Sequence, residues 1–343
     1  GGVALPPAEF LLRLDEKAGA DGAASQLQGD FSADALDLEP LARLSGFLPL
    51  PGPLRQWLEA AQPRGHVQDL KLVWSGAGEQ MQQYSVKARF AGLALRPHGQ
   101  VPGFSGLNGN LSASQKEGSV SFSAGRAPAL LGARDANGRD TPAVIDLGAV
   151  LGGQPLQLDT LSGETSWTLG QAKSDFRFRN VNFANADAAG TVSGSFSARP
   201  GTHGQIDLTG SLSRAEARAV WRYIPFIDNG LREYLRSAIL AGQSRDMKLR
   251  LKGDLDRFPF ADARQGQFSV TARINDGELN YIEGWPRIAG IAADFAIEGS
   301  QLSVRAQRAV TAGTRVSSAR AVIPDLFHGE PQLNVEGQVE GAV

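Results

Sequence analysis

Three features of the sequence predict a mostly β, antiparallel protein built from repeats. Apolar and polar residues alternate with period two over most of its length, the pattern of strands with one dry and one wet face. Glycine is plentiful, 41 of 343 residues, as a fold with many turns requires. Finally, a segment near the start returns 177 positions later, and helical periodicity occurs only at the head of each copy.

Taken in order, residues 1–30 read as the end of a preceding repeat and 31–210 as one unit, a helix pair and then strands. Residues 211–343 read as a second unit that breaks off, which implies a longer parent chain with units stacked end to end. The first helix pair is Asp37 to Leu44 and Leu54 to Ala61, joined by Phe47-Leu48-Pro49-Leu50. Alternating strands follow at Ser85 to Phe90, Ser119 to Ala124, Asp175 to Phe178, Thr191 to Ala198 and Gln205 to Leu212. The second pair starts with Ser213 to Tyr223, where Ser213 would cap and Glu216 stands three residues on. Its partner, Asn229 to Ala241, puts Leu231, Tyr234, Leu235, Ala238 and Ile239 on one face and Arg232, Glu233 and Arg236 on the other. Such a helix should shield the sheet, being too short and charged to span a bilayer. Strands resume at Met247 to Lys252, Gln267 to Ile274, Asp294 to Ile297, Gln301 to Ala306 and Gln332 to Val339. Asn108-Gly109, Asn137-Gly138 and Asp276-Gly277 have the composition of hairpin turns.

The repeat is specific. Residues 54–76 match 231–253 at nine of 23 positions, among them Leu54/Leu231, Arg55/Arg232, Ala61/Ala238, Gly65/Gly242, Leu72/Leu249 and Gly76/Gly253. After a seven-residue insertion containing Phe258-Pro259-Phe260 the offset becomes 184, and Val86/Val270, Ala88/Ala272, Gly106/Gly290, Leu111/Phe295 and Val120/Val304 align. Residues 31–126 and 211–310 should therefore fold alike.

Composition excludes several classes of function. With 34 basic and 36 acidic residues the net charge is −2, so the field that draws proteins onto nucleic acid is missing. Cysteine is absent, which removes disulfides and thiolate chemistry. The hydrophobic fraction, 42%, suffices for folding, yet no run of ~18 apolar residues occurs, and Gly1 to Phe10 lacks the basic flank and apolar run of a signal peptide.

Chemical motifs are equally sparse. His66, His98, His203 and His328 lie far apart without metal-ligand spacing, and read as surface or turn residues. Asp135 to Asp140 resembles part of a calcium loop, but its glycine comes early and no glutamate closes it. The glycine-rich Gly103 to Gly109 lacks the phosphate-cradle spacing and reads as a turn between strands. Acid pairs such as Asp34/Asp37 and Asp254/Asp256 have no neighbour that would perturb them. The expectation is no enzyme, no metal and no cofactor. What remains is the apolar face, which is either ordinary core or an uncovered binding surface.

The stretch Trp221-Arg222-Tyr223-Ile224-Pro225-Phe226, then Leu231 to Leu235, Leu249 to Gly253, Phe258-Pro259-Phe260, Gly266-Gln267-Phe268, Leu279-Asn280-Tyr281 and Gly284-Trp285-Pro286-Arg287-Ile288, resembles the YhdP family of AsmA-like envelope proteins, related in design to TamB. The resemblance implies a long curved antiparallel sheet, a taco-like groove, with short flanking helix pairs. It implies bridge-like phospholipid transport across the periplasm between inner and outer membranes, with anchoring to the inner membrane through a segment outside this sequence and further partners at either membrane unknown. The groove lining is then expected from Val86, Ala88, Phe90, Val120, Phe122, Phe176, Phe178, Val192, Phe196, Ile206, Leu208, Leu249, Leu251, Phe268, Val270, Leu279, Tyr281, Phe295, Ile297, Leu302 and Val304. Two alternatives stay open: an envelope scaffold or adhesin-like repeat protein with a dry core, and a polysaccharide binder, which the five dispersed Trp disfavour.

Overall fold

The computed structural model describes residues 9–17, 26–47, 52–77, 80–98, 102–125, 142–147, 151, 154–260, 262 and 264–340. Among the described residues the alternating segments form nineteen strands, and every strand pairing described is antiparallel. Residues 1–147 with 155–176 make one compact unit, and 148–154 with 177–343 another.

The first unit holds β1 (Phe10–Lys17), β2 (Gln26–Asp37), α1 (Leu38–Leu44), α2 (Gly52–Ala61), β3 (Arg64–Ala77), β4 (Gln80–Leu95), β5 (Gly103–Ser114), β6 (Glu117–Gly125), β7 (Ala143–Asp146), β8 (Leu156–Leu158) and β9 (Thr160–Thr168). Strands β1 to β6 pair in sequence order, β7 joins β5, and β9 joins β6. Asp37 starts α1, its carboxylate accepting from Glu39 N at 3.1 Å, as an N-cap should.

The second unit receives β10 (Ser174–Ala184) from residue 177 onward, then β11 (Ala188–Ala198), β12 (Gln205–Glu216), a 3-10 turn (Ala217–Arg222) and α3 (Asn229–Ala238). It continues with β13 (Ile239–Ser244), β14 (Met247–Asp254), β15 (Gly266–Leu279), β16 (Ile288–Glu298), β17 (Gln301–Thr311), β18 (Thr314–Ile323) and β19 (Asn334–Glu340). From β15 to β19 each strand pairs with the next. Asp228 caps α3, accepting from Leu231 N at 2.9 Å. Ala312 and Gly313, at φ 48° and 77°, make the two-residue turn between β17 and β18, whose left-handed geometry follows the strand twist.

The sequence repeat is also a repeat of register. Leu72 faces Phe31 and Val86, as Leu249 faces Gly210 and Val270. Val86 opposes Ala113 as Val270 opposes Ile297, and Leu111 opposes Val120 as Phe295 opposes Val304. Left-handed backbone recurs at matched positions: Gly65 and Gly242 (φ 109° and 138°), Gly92 and Asp276 (62° and 52°), Gly106 and Gly290 (78° and 61°). Ala61 and Ala238, the last residues of α2 and α3, are both buried.

Several sequence expectations change. Ser213 caps no helix: β12 runs to Glu216 because Ala215 and Glu216 pair with Ser244 and Gln243, and only a 3-10 turn follows. Residues 239–241 leave the helix for β13. Asn108-Gly109 and the whole of Gly103 to Gly109 lie inside β5, and Asp276-Gly277 lies inside β15. The physical reason is a bulge. Asp276 takes left-handed φ within β15 and shifts the register, while its counterpart Gly92 does so in β4, its N–H donating at 2.7 Å to the Oδ1 of buried Asn108. Asn137-Gly138, the calcium-like Asp135 to Asp140 and Leu48 to Leu50 fall outside the described residues.

Candidate functional site

Residues directly opposite on neighbouring strands share a face, so the ladders show which of the expected lining residues stand together. In the second unit one row runs Val192, Gly210, Leu249, Val270, Ile297, Leu302, Ile323. A second runs Gly194, Leu208, Leu251, Phe268, and a third Phe196, Ile206, Gly253, Gly266. Ala272, Phe295, Val304, Ala321 and Val335 form a fourth. The first unit repeats the pattern with Ala88, Leu111, Val120, Thr165 and with Phe90, Gly109, Phe122, Gly163. None of these residues is charged.

Coverage of the face is partial. Of the expected lining, Phe90 and Val270 are buried and the others, Phe176 and Phe178 on β10 included, are half-buried. The face is sealed near the helix end of the second unit, where Ile291, Ala293 and Ala309 pack with Leu279, Ile288, Val304, Ala306 and Val316, and in the first unit at the opposed pair Ala124 and Leu161. Leu279 belongs there because the bulge at Asp276 restores its strand to the apolar face. Tyr281 lies past the end of β15 and meets Trp285 edge to face, 6.0 Å between centroids.

The opposite face carries the charge. Arg250 bonds Asp207 at 2.6 Å, Lys252 lies 3.7 Å from the same carboxylate, and Arg273 lies between Asp246 and Asp294. The Arg250 hydrogen bond holds the Asp207 carboxyl below the usual carboxylate range, against slight desolvation. Solvated pairs of this kind stabilise weakly, but they fix which face meets water.

The four histidines are exposed. His203 pairs with Asp256 at 2.5 Å and His328 with Asp325 at 3.0 Å, each at a loop. The Trp221-Arg222-Tyr223 motif acts as a fastener for the turn between β10 and β11. Arg222 bonds Asp187 at 2.8 Å, and the Asn185 amide donates to the Tyr223 hydroxyl at 2.9 Å. Burial pushes the Tyr223 hydroxyl pKa up.

Arg232 corrects the helical-wheel expectation. It is half-buried rather than on the wet face, and its guanidinium donates to the carbonyls of Leu151 (2.8 Å), Trp221 (3.3 Å) and Ile227 (3.5 Å). The helix shields less than expected, since Leu231 and Tyr234 are exposed. Periodicity also misses Leu12, Leu14, Phe31 and Leu72. The unbroken run Phe10-Leu11-Leu12 hides strand parity, yet Leu12 opposes Phe31 and so joins the same face. Phe258, Phe260 and Phe327 join it from loops, where no periodicity exists to find them.

Among the described residues no helix is long and apolar enough to cross a membrane, and no cluster of metal-ligating side chains occurs. A family model described as "YhdP protein" matches residues 2–343. No curated protein and no solved structure gives a significant match.

Proposed function

As the chain belongs to the YhdP family, we propose that it is part of a phospholipid conduit of the bacterial envelope. In this reading acyl chains lie on the apolar face of the sheet, the body works in the periplasm between the two membranes, and the inner-membrane anchor lies outside these residues. The supporting observation is the continuous set of uncharged rows, from Val192 through Val270 to Ile323, whose members other than Gly210 and Val270 are left half-buried rather than sealed. An acyl chain gains ~0.8 kcal/mol per methylene removed from water, so such a face holds lipid without any catalytic group. The role is passive carriage, with no reaction and no cofactor.

Native mass spectrometry of the purified chain tests this, with Phe295→Asp beside Ser269→Asp. Phe295 lies on the apolar face, whereas Ser269 lies on the charged face opposite Arg250. Expected are co-purified phospholipid in the parent and in Ser269→Asp, and its loss from a still folded Phe295→Asp, because a sliding chain would have to strip water from the carboxylate. Collapse of the fold in Phe295→Asp, or unchanged lipid, would favour a dry scaffold.

A further inference from the structure

The two repeats differ most where the sequence carries its insertion. Between β3 and β4 lie two residues, 78–79, whereas between β14 and β15 lie eleven, 255–265. Phe258 and Phe260 of the longer link lie over the apolar face. Phe260 is 6% exposed and lies across the opposed pair Gly253 and Gly266, where an added Cβ would come within 2.6 and 2.5 Å of its ring. Its backbone sits at φ 68°, a left-handed conformation that a bulky residue adopts only when its surroundings hold it there.

Beside it Phe258 meets Phe260 (5.8 Å), Phe268 (5.1 Å) and Phe327 (5.3 Å), all edge to face. Phe327 arrives from the link after β18, anchored by Leu326 N donating to Ser300 O at 2.9 Å and Phe327 N to Asp325 Oδ1 at 3.0 Å. Phe268 is a member of the apolar row with Leu208 and Leu251. Phe258 and Phe327 remain 38% and 44% exposed, so they cover the face without being sealed themselves.

We propose that Phe258, Phe260 and Phe327 form an aromatic strap that closes one end of the second unit's apolar face and opens to admit an acyl chain beside Leu251 and Phe268. The proposal rests on the lipid-carrying reading for its ligand, but the strap itself is a property of the fold. Of the three rings, Phe258 and Phe327 are the ones that reach the surface, whereas Phe260 is buried against the sheet, so the first two are the ones the proposal has swing aside. The first repeat carries no such insertion, and there the opposed pair Trp74 and Tyr84 stands where the second repeat has Leu251 and Phe268.

Because the chain lacks cysteine, single cysteines report on the face directly. Leu251→Cys lies beside the strap and Leu72→Cys on the same face of the first unit. Each is labelled with pyrene maleimide in the parent, in Phe327→Ala and in Phe258→Ala/Phe327→Ala, with melting followed by circular dichroism. Opening the strap should raise the labelling rate at position 251 by about tenfold in the double variant and less in the single one, leaving position 72 unchanged. Equal rates at 251 with the fold intact would overturn the strap. Should the double variant also speed labelling at 72, it has unfolded, and Phe327→Ala, on an exposed loop, decides alone. A faster rate at 251 without co-purified phospholipid keeps the strap and discards the lipid reading. Co-purified lipid with no change at 251 does the reverse.

Discussion

The first repeat begins with an α-helix capped by Asp37 and the second with a 3-10 turn, yet the strands that follow pair in the same register in both. The ladders therefore do not depend on how the connecting segment coils. What the repeats share are left-handed positions such as Gly65 and Gly242, and small or apolar residues on one face. Since a one-residue slip would turn every apolar side chain to water, burial on one face is enough to hold register across different connections.

The sharpest break of the comparison is a charge in its sealed part. Ala293, 1% exposed, matches Gly109, whose added Cβ would come within 1.9 Å of Ser121 O, so neither site has room. Ala293→Asp should lower stability by roughly 3–5 kcal/mol, the range for an uncompensated buried charge, read as the urea midpoint. Asp294→Ala, its exposed neighbour, should change it by less than about 1 kcal/mol. Equal effects would mean that the helix end of the face is as open as the rest.

A smaller effect separates the two matched glycines. Gly65→Ala places a Cβ 2.7 Å from Gly92 O, which cannot yield, whereas at Gly242 the nearest atom is the Ala217 Cβ at 3.1 Å. Both carry the left-handed strain, about 1–3 kcal/mol. Thermal melts should show the larger loss for Gly65→Ala, and the reverse order would show that the strands around the two glycines are not equivalent.

Much of this architecture is legible in the sequence because its signals are periodic. Alternation in Gln267 to Ile274 gives the strand and its dry face together, and the 177-position offset gives the repeat. The failures have one physical cause. Asp276-Gly277 carries turn composition but serves a bulge, since a left-handed residue meets the same local requirement in both, while Asn108-Gly109 runs on inside β5 with Asn108 accepting from the left-handed Gly92 next door; only the partner strand decides between these outcomes. Arg232 escapes sequence reasoning in the same way: a helical wheel cannot know that the carbonyl of Leu151 arrives from 81 residues away.

The smallest expected effect is titration. Asp207, Asp256 and Asp325 all have lowered carboxyl pKa values, through Arg250, the His203 backbone N–H and the Phe327 backbone N–H respectively. A folded pKa below the unfolded one adds stability above the ordinary carboxylate range and loses it as pH falls through the folded value. Melting temperature should thus be flat from neutral pH down to about 5 and decline below about 4. Arg250→Gln should shrink that decline slightly in the second unit only, and an unchanged curve would mean that the Asp207 pair contributes nothing.

Pairing between strands adjacent in sequence also has a consequence in time. Bringing β17 onto β18 closes a loop of two residues, Ala312 and Gly313, whereas bringing β14 onto β12 requires the turn, α3 and β13 to be spanned first. Loop-closure entropy grows only logarithmically, by about 0.6 kcal/mol per doubling, but several doublings separate these two closures. The hairpins from β15 to β18 are therefore expected to zip early in refolding, with β12 joining β14 later. In a pulse-labelling hydrogen exchange experiment, amides at Val304 and Val316 should gain protection before those at Leu208 and Leu249.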